Sequence, residues 1–225
     1  MIELFGRPRF DAQGAFGGHV GIATDVTDAR AAEHRQQVLI DELNHRVKNT
    51  LATVQSLVRH TLQEHGAPKR VERDVTERLL ALAAAHDVLS RQHWEGAELT
   101  DVTNEVLRPH RHSGQVSVSG PEARLSPKTA IALAMGLGEL AANAAKHGAL
   151  SARGGSVALS WTKSGDAIDL EWRESGGPPV AAARLSGFGS VLLGRLLAVE
   201  LGRAAEVSYE PDGLICRIWA PLAAA

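Results

Sequence analysis

Between Asp28 and His65 the chain contains neither glycine nor proline, and charged residues are interleaved with aliphatic ones throughout. A stretch of that length without a breaker reads as one long helix. Its apolar seam runs through Ile40, Leu43, Val47, Leu51, Val54, Val58 and Leu62, spacings of three and four that place a single stripe along one face. Gly66, Ala67 and Pro68 end the helix. A second stripe at Val71, Val75, Leu79, Leu82 and Leu89 predicts a returning helix and hence an antiparallel helical hairpin. Two helices bury too little apolar surface to stand alone. The seam is completed either by a twin chain in a four-helix bundle or by the rest of the same chain.

The flanking segments differ in kind. Residues 1–27 read as two short strands around a turn at Asp11–Gly14, and such a hairpin is marginal in water, so it is expected to be the remnant of a larger domain. After Trp94 the pattern becomes mixed α/β. Asp101 can cap a short helix to about Leu107, Val116 and Val118 suggest a strand, and Ser126-Pro127 opens a long helix ending near His147-Gly148. Val157, Leu159 and Trp161 alternate, Ser164-Gly165 turns the chain, and Ile168, Leu170 and Trp172 alternate back. A Gly/Pro/Ala-rich loop over 175–189 precedes a helix from about Ser190 to Leu201, and a hairpin over Ala205–Tyr209 and Leu214–Ala220 closes the chain.

With 24 Lys+Arg against 26 Asp+Glu, the chain lacks the clustered positive charge that a general nucleic-acid binder needs. A single cysteine, Cys216, excludes an intramolecular disulfide and a thiolate-rich metal site. No apolar run approaches the ~20 residues of a membrane-spanning helix, so a cytoplasmic protein without membrane insertion is expected.

Four segments carry candidate chemistry. In DELNHRVKN, residues 41–49, His45 lies two positions after the seam residue Leu43, a rotation of ~200° that turns it away from the stripe. Asp41 and Glu42 precede it, and Lys48 and Asn49 follow at helical-neighbour spacing. Carboxylates could hold the imidazole tautomer, while the ammonium and amide could meet a phosphate; an ordinary solvated helix face is the bland reading. In GLGELAANAAKHGALS, residues 136–151, Glu139, Asn143 and Lys146 share a ~60° arc opposite Leu133, Leu137, Leu140 and Ala144. An Asn oxygen suits Mg²⁺, Lys suits phosphate, and Glu can orient or accept a proton from the group being phosphorylated. In WRESGGPPV, residues 172–180, Glu174 could accept a hydrogen bond from an exocyclic amine such as adenine's, and Gly176 and Gly177 permit close backbone approach or positive φ. SGFGS, residues 186–190, opens a helix with a G-x-G suited to phosphate. His86 continues the seam of the second helix and reads as packed.

The order and spacing of these segments resemble the sensor histidine kinases of two-component systems, specifically the HWE subfamily. LNHRVKNTLA is similar to the phosphoacceptor box, ELAANAAKHGALS to the N box, WRESGGPPV to the Trp-x-Glu form of the first glycine box, and GFGSVLLGRLL to the second. GGHVGIATDVTDAR resembles the end of a PAS sensor domain. The resemblance implies an α+β chain in three parts. These are a PAS remnant over 1–27, a helical hairpin for dimerisation and phosphotransfer over 28–93, and a Bergerat-fold α/β sandwich that binds ATP over 94–225.

It further implies that His45 is the phosphoacceptor, with Arg46, Lys48 and Asn49 beside it, and that Glu139 orients or deprotonates it. Asn143 would hold Mg²⁺ together with the ATP phosphates, Lys146 would contact phosphate, and Glu174 would face adenine. Gly176, Gly177, Gly187 and Gly189 would belong to the nucleotide-binding loops, the last two in a lid spanning about 175–190. The phosphoryl group would pass to an aspartate of a response-regulator receiver domain, under control of an upstream sensor, in a homodimer or a monomer. One position departs from the pattern: the subfamily has His before the N-box Glu, and here that place is Gly138. The alternative is therefore a weakened phosphotransfer or scaffold protein with a degenerate ATP pocket.

Overall fold

Which strands of this chain find a second layer to cover them governs its architecture. The structure, a computed structural model, describes residues 1–178, 194–195 and 197–223, the side chains of residues 33, 34, 37, 41, 43, 45, 112 and 113 excepted. Its backbone groups into two compact units, Met1–Val47 and Lys48–Ala225.

The first unit contains β1 (Ile2–Phe10), β2 (Phe16–Asp25) and the start of α1 (Thr27–Glu64). β1 and β2 pair antiparallel from Ile2 opposite Asp25 to Phe10 opposite Phe16, with a bulge near Phe10. The Asp11 carboxylate closes the turn by accepting from the backbone N–H groups of Gln13 and Ala15. Asp25 accepts from the Thr27 N–H at 2.9 Å where the helix begins, and Arg30 reaches back to Glu3 at 3.0 Å.

In the second unit α1 ends at Glu64 and α2 covers Lys69–Arg91. The elements that follow are β3 (Ala97–Glu98), α3 (Leu99–Leu107), a 3-10 turn (Arg108–Ser113), β4 (Val116–Ser119), β5 (Arg124–Leu125) and α4 (Pro127–Lys146). After a second 3-10 turn (Ala149–Ser151) come β6 (Ser156–Ser164), β7 (Ala167–Ser175), α5 (Leu197–Leu201), β8 (Glu206–Glu210) and β9 (Gly213–Pro221). Five strands form one sheet in the order β4-β6-β7-β9-β8, parallel only between β4 and β6. The alternation seen in the sequence explains its two-sidedness. Val157, Leu159, Trp161, Ile168, Leu170 and Trp172 are buried on the face that the helices cover, while Ser156, Ala158, Ser160 and Asp169 face outward. One core unites these side chains with Leu89, Leu99, Val102, Leu133, Leu137, Leu140 and Ile218. This mixed helix-and-sheet arrangement is the α+β sandwich expected.

Several expectations change in detail. The sequence divided at 27/28 and 93/94; α2, within the second of those parts, packs chiefly on α4 and α3. The physical reason is its small face: Ala81 and Ala85 are buried, and the Cβ of any residue at 138 on α4 would sit 2.7 Å from the Cβ of Ala81. Asp101 does not cap α3. The helix starts two residues earlier, with Glu98 as N-cap, and Asp101 instead accepts a hydrogen bond from Gln92 at 3.1 Å. Ser126 does cap α4, its Oγ accepting from the Thr129 N–H at 3.2 Å. In the second unit the α1 seam is only partly covered: Leu51, Val58 and Leu62 are half-buried, and Val54 is exposed. The expected helix from Ser190 is described as a π-helical turn at 194–195 and as α-helix over Leu197–Leu201; residues 190–193 and 196 lie outside the described residues.

Candidate functional site

Helix α4 carries the polar residues that the sequence singled out, because its heptad-like leucines fix which side meets the core. Leu133, Leu137, Leu140 and Ala144 are buried, as their spacing requires. The opposite arc does not open to solvent at both ends as expected. The Glu139 carboxylate, 9% exposed, accepts from Arg78 of α2 through Nε at 3.0 Å and Nη2 at 3.3 Å. At the other end of the arc Lys146 donates from its ammonium to Asp74 at 2.8 Å and to Glu77. Burial works to lower the Lys146 pKa, but the hydrogen bonds it donates to Asp74 and Glu77, with their charges, outweigh it and hold the ammonium above its usual range. Asn143 lies between these two ion-pair sites, half-buried, and its side-chain amide bonds no other described residue.

The Trp-x-Glu segment supplies the second wall. Trp172 and Glu174 are two apart on β7 and so face the same side of the sheet, both inward. Glu174, 5% exposed, accepts from the Ala149 N–H through Oε2 at 2.8 Å and from the Trp172 indole N–H through Oε1 at 3.2 Å. The carboxylate thereby ties the end of β7 to the turn that follows α4. Gly176 takes a φ of +69°, and a Cβ at Gly177 would come within 2.8 Å of the Ala149 backbone. Both glycines serve a close approach of backbone, here to the chain's own turns. Gly187 and Gly189 lie outside the described residues.

The phosphoacceptor box straddles the two units, and each half is described separately. In the first unit His45 is on α1 with its side chain outside the described residues; Asn44 is buried, and Arg46 pairs with Glu42 at 2.9 Å. The second unit holds Lys48, paired with Asp87 of α2 at 3.0 Å, and Asn49, whose carbonyl accepts from the Thr53 hydroxyl at 2.9 Å.

Other histidines sort as their positions suggest. His86 is 5% exposed, stacks edge-on against Trp94 with ring centroids 5.1 Å apart, and neither ring nitrogen has a partner among the described residues. Burial, opposed by the charge of Asp87 and assisted by that of Lys48, pushes its pKa down. His110 is also lowered by burial, against the pull of Glu77. Cys216 is buried and its thiol is pushed up to about 12, which leaves it unreactive at neutral pH.

Sequence reasoning missed the α2 partners. Asp74, Glu77, Arg78 and Ala81 stand at i, i+3, i+4 and i+7, a face complementary in charge to Lys146 and Glu139. That pattern was readable, but two surfaces can be matched only when one knows that they meet. The acceptor role of Glu174 toward Ala149 and Trp172 likewise carried no signal beyond the spacing.

Comparison with known proteins places these features. Residues 42–122 match the family model described as HWE histidine kinase. The blue-light-activated histidine kinase of Brucella anthropi is 36% identical over 91% of this chain, and that of Brucella ovis is 35% identical over 90%. Each alignment spans 43% of the relative, so the chain covers less than half the length of those curated proteins. Among solved structures, the histidine kinase domain of the blue-light activated histidine kinase from Erythrobacter litoralis superposes with a TM-score of 0.55 at 24% identity, covering 86% of this chain and 94% of that domain. The longer structure of the same Erythrobacter protein gives 0.54 at 21% identity, covering 98% of this chain and 77% of it. Both support the fold.

Proposed function

Since the chain belongs to the HWE histidine kinases, we propose that it is the ATP-dependent kinase portion of a two-component sensor, phosphorylating its own His45. The observation that carries this reading is the family match over 42–122, which spans the phosphoacceptor box and the start of the nucleotide-binding sandwich. Supporting it, Asn143 presents a half-buried amide on α4 with no bond to another described residue, and one neutral oxygen fits a Mg²⁺ ion held mainly by phosphates. When bound, Mg²⁺ would neutralise charge on the transferring phosphoryl group.

The chain's own residues do the rest by position and charge. Neutral His45 offers a ring nitrogen that is already nucleophilic, and Glu139 orients it or takes its proton. Lys146 lends positive charge to phosphate oxygens, and Glu174 accepts from the exocyclic amine of adenine. Glu139 and Lys146 are engaged by Arg78, Asp74 and Glu77, so both roles require an exchange of partners. Arg46, Lys48 and Asn49 are the acceptor's neighbours in sequence, and Gly176, Gly177, Gly187 and Gly189 belong to the nucleotide loops. The phosphohistidine then donates to an aspartate of a response-regulator receiver domain. Dimerisation through the helices is supported by the exposed Val54 and Leu57 of α1. A cytoplasmic location is part of this proposal; no described helix is long and apolar enough to cross a membrane.

The test is incubation with Mg²⁺ and γ-labelled ATP followed by mapping of the label. Acid-labile, base-stable label that disappears in His45→Ala is expected; label that persists in that variant overturns the assignment. A second reading, a phosphotransfer scaffold without nucleotide turnover, is favoured by one observation, the substitution of Gly138 beside Glu139. A titration with Mg²⁺-ATP separates the two, because a scaffold with a degenerate pocket gives no saturable binding.

A further inference from the structure

The Glu174 carboxylate is held on both of its oxygens, by a neighbour on its own strand and by the distant turn that follows α4. Oε2 accepts from the Ala149 N–H at 2.8 Å, and Oε1 accepts from the indole N–H of the fully buried Trp172 at 3.2 Å. Gly148 leaves the space that Oε2 fills, since a Cβ there would lie 2.0 Å from that oxygen. At Gly213 on β9, φ is +152° and a Cβ would lie 2.2 Å from the Glu174 carbonyl oxygen, so the backbone beneath the side chain is fixed as well. An ionised carboxylate has about four acceptor directions, and two internal bonds leave one lone pair on each oxygen.

We propose that Trp172 is a positioning residue, which with the Gly148-Ala149 turn fixes the rotation of the Glu174 carboxylate and so sets the site's preference for a purine bearing an amine over one bearing a keto group. This rests on the reading that Glu174 faces the base. A carboxylate whose rotation is fixed accepts from an exocyclic amine but sets acceptor against acceptor when a keto oxygen takes that place, and sites built around a hydrogen bond discriminate strongly. One that rotates freely can turn its oxygens away and loses that discrimination. Trp172 is itself fully buried, and a buried indole needs an acceptor for its N–H; Glu174 meets that need, and the restraint is mutual.

The test measures the dissociation constants of Mg²⁺-ATP and Mg²⁺-inosine triphosphate, which has a keto group at that position, for the whole chain and its variants. In Trp172→Phe, which retains an aromatic ring and removes the donor, the preference for ATP is expected to fall about tenfold with saturable binding of both nucleotides retained. Gly148→Ala, which pushes Oε2 from the other side, is expected to reduce the preference similarly. If the Phe variant does not fold, Trp172→Tyr, which also lacks the indole N–H, is measured in its place, and an unchanged preference there overturns the proposal. A lowered melting temperature with an unchanged preference means Trp172 only packs, and overturns the proposal. Glu174→Gln distinguishes the reading beneath it. If Gln abolishes or inverts the preference while the Phe and Ala variants keep it, Glu174 faces the base but Trp172 does not position it. If Gln leaves the preference intact, or the parent chain shows none, the base reading falls and the proposal with it.

Discussion

The β1–β2 hairpin of the first unit and the β6–β7 hairpin of the second carry similar shares of apolar residues, yet only the apolar side chains of the latter are buried. Ile2, Leu4 and Phe5 of β1 and Val20 and Ile22 of β2 are between 61% and 78% exposed, whereas Val157, Leu159, Trp161, Ile168, Leu170 and Trp172 are at most 3% exposed. Strand pairing and turn chemistry suffice to shape the hairpin, because ladder bonds and the Asp11 turn are local. Burial needs a second layer. In the sandwich α4 supplies it, and in the first unit no described residue covers either face of the hairpin.

Substitutions sharpen this contrast by asking how much each region stores. Leu133→Ala, at a fully buried position, is expected to cost about 4 kcal/mol through lost transfer energy and the cavity left behind; urea denaturation measures it. Arg78→Ala strands the Glu139 carboxylate and should cost about 3 kcal/mol, while Lys substitution recovers part of the loss in the same assay. Gly138→His restores the subfamily residue but drives a side chain into Ala81; overpacking should cost about 2 kcal/mol, and Ala81→Gly in the same chain should recover some of it.

A smaller effect concerns pH. The folded state holds His86 below its ordinary value through burial, the charges of Asp87 and Lys48 acting in opposite senses. The unfolded chain therefore binds the proton more readily. Stability is then full above the unfolded pKa of about 6.5 and declines as pH falls toward the folded value. His110 acts in the same direction. His86→Leu removes two ring nitrogens without a partner among the described residues, and should be more favourable at pH 5 than at pH 8, read from melting curves at both values. The smallest effect is expected from Leu4→Ala on the hairpin, within about 0.5 kcal/mol; a loss as large as that of Leu133→Ala would mean that this face is covered in solution and would break the comparison.

Much of this molecule was legible from local pattern. The alternation at Val157–Trp161 and Ile168–Trp172 and the Ser126-Pro127 helix start act over a few residues and are present in the structure, whereas the turn expected at Ser164-Gly165 falls one residue later, at Gly165-Asp166, because Ser164 still pairs with Ala167. Asp101 misled because a carboxylate near a helix start can cap it or bond elsewhere, and Gln92 nine residues earlier decided which.

Local periodicity and short-range hydrogen bonding determined the elements, the inward faces of β6, β7 and α4, and the family-bearing segments themselves, since each depends on neighbours a few positions apart. Tertiary structure alone decided that α2 lies on α4, that Glu139 and Lys146 meet Arg78, Asp74 and Glu77, and that both oxygens of Glu174 are held by Ala149 and Trp172. Ion pairs and close helix contacts depend on which surfaces meet, and a side chain's spacing along its own helix leaves the identity of the opposing surface open.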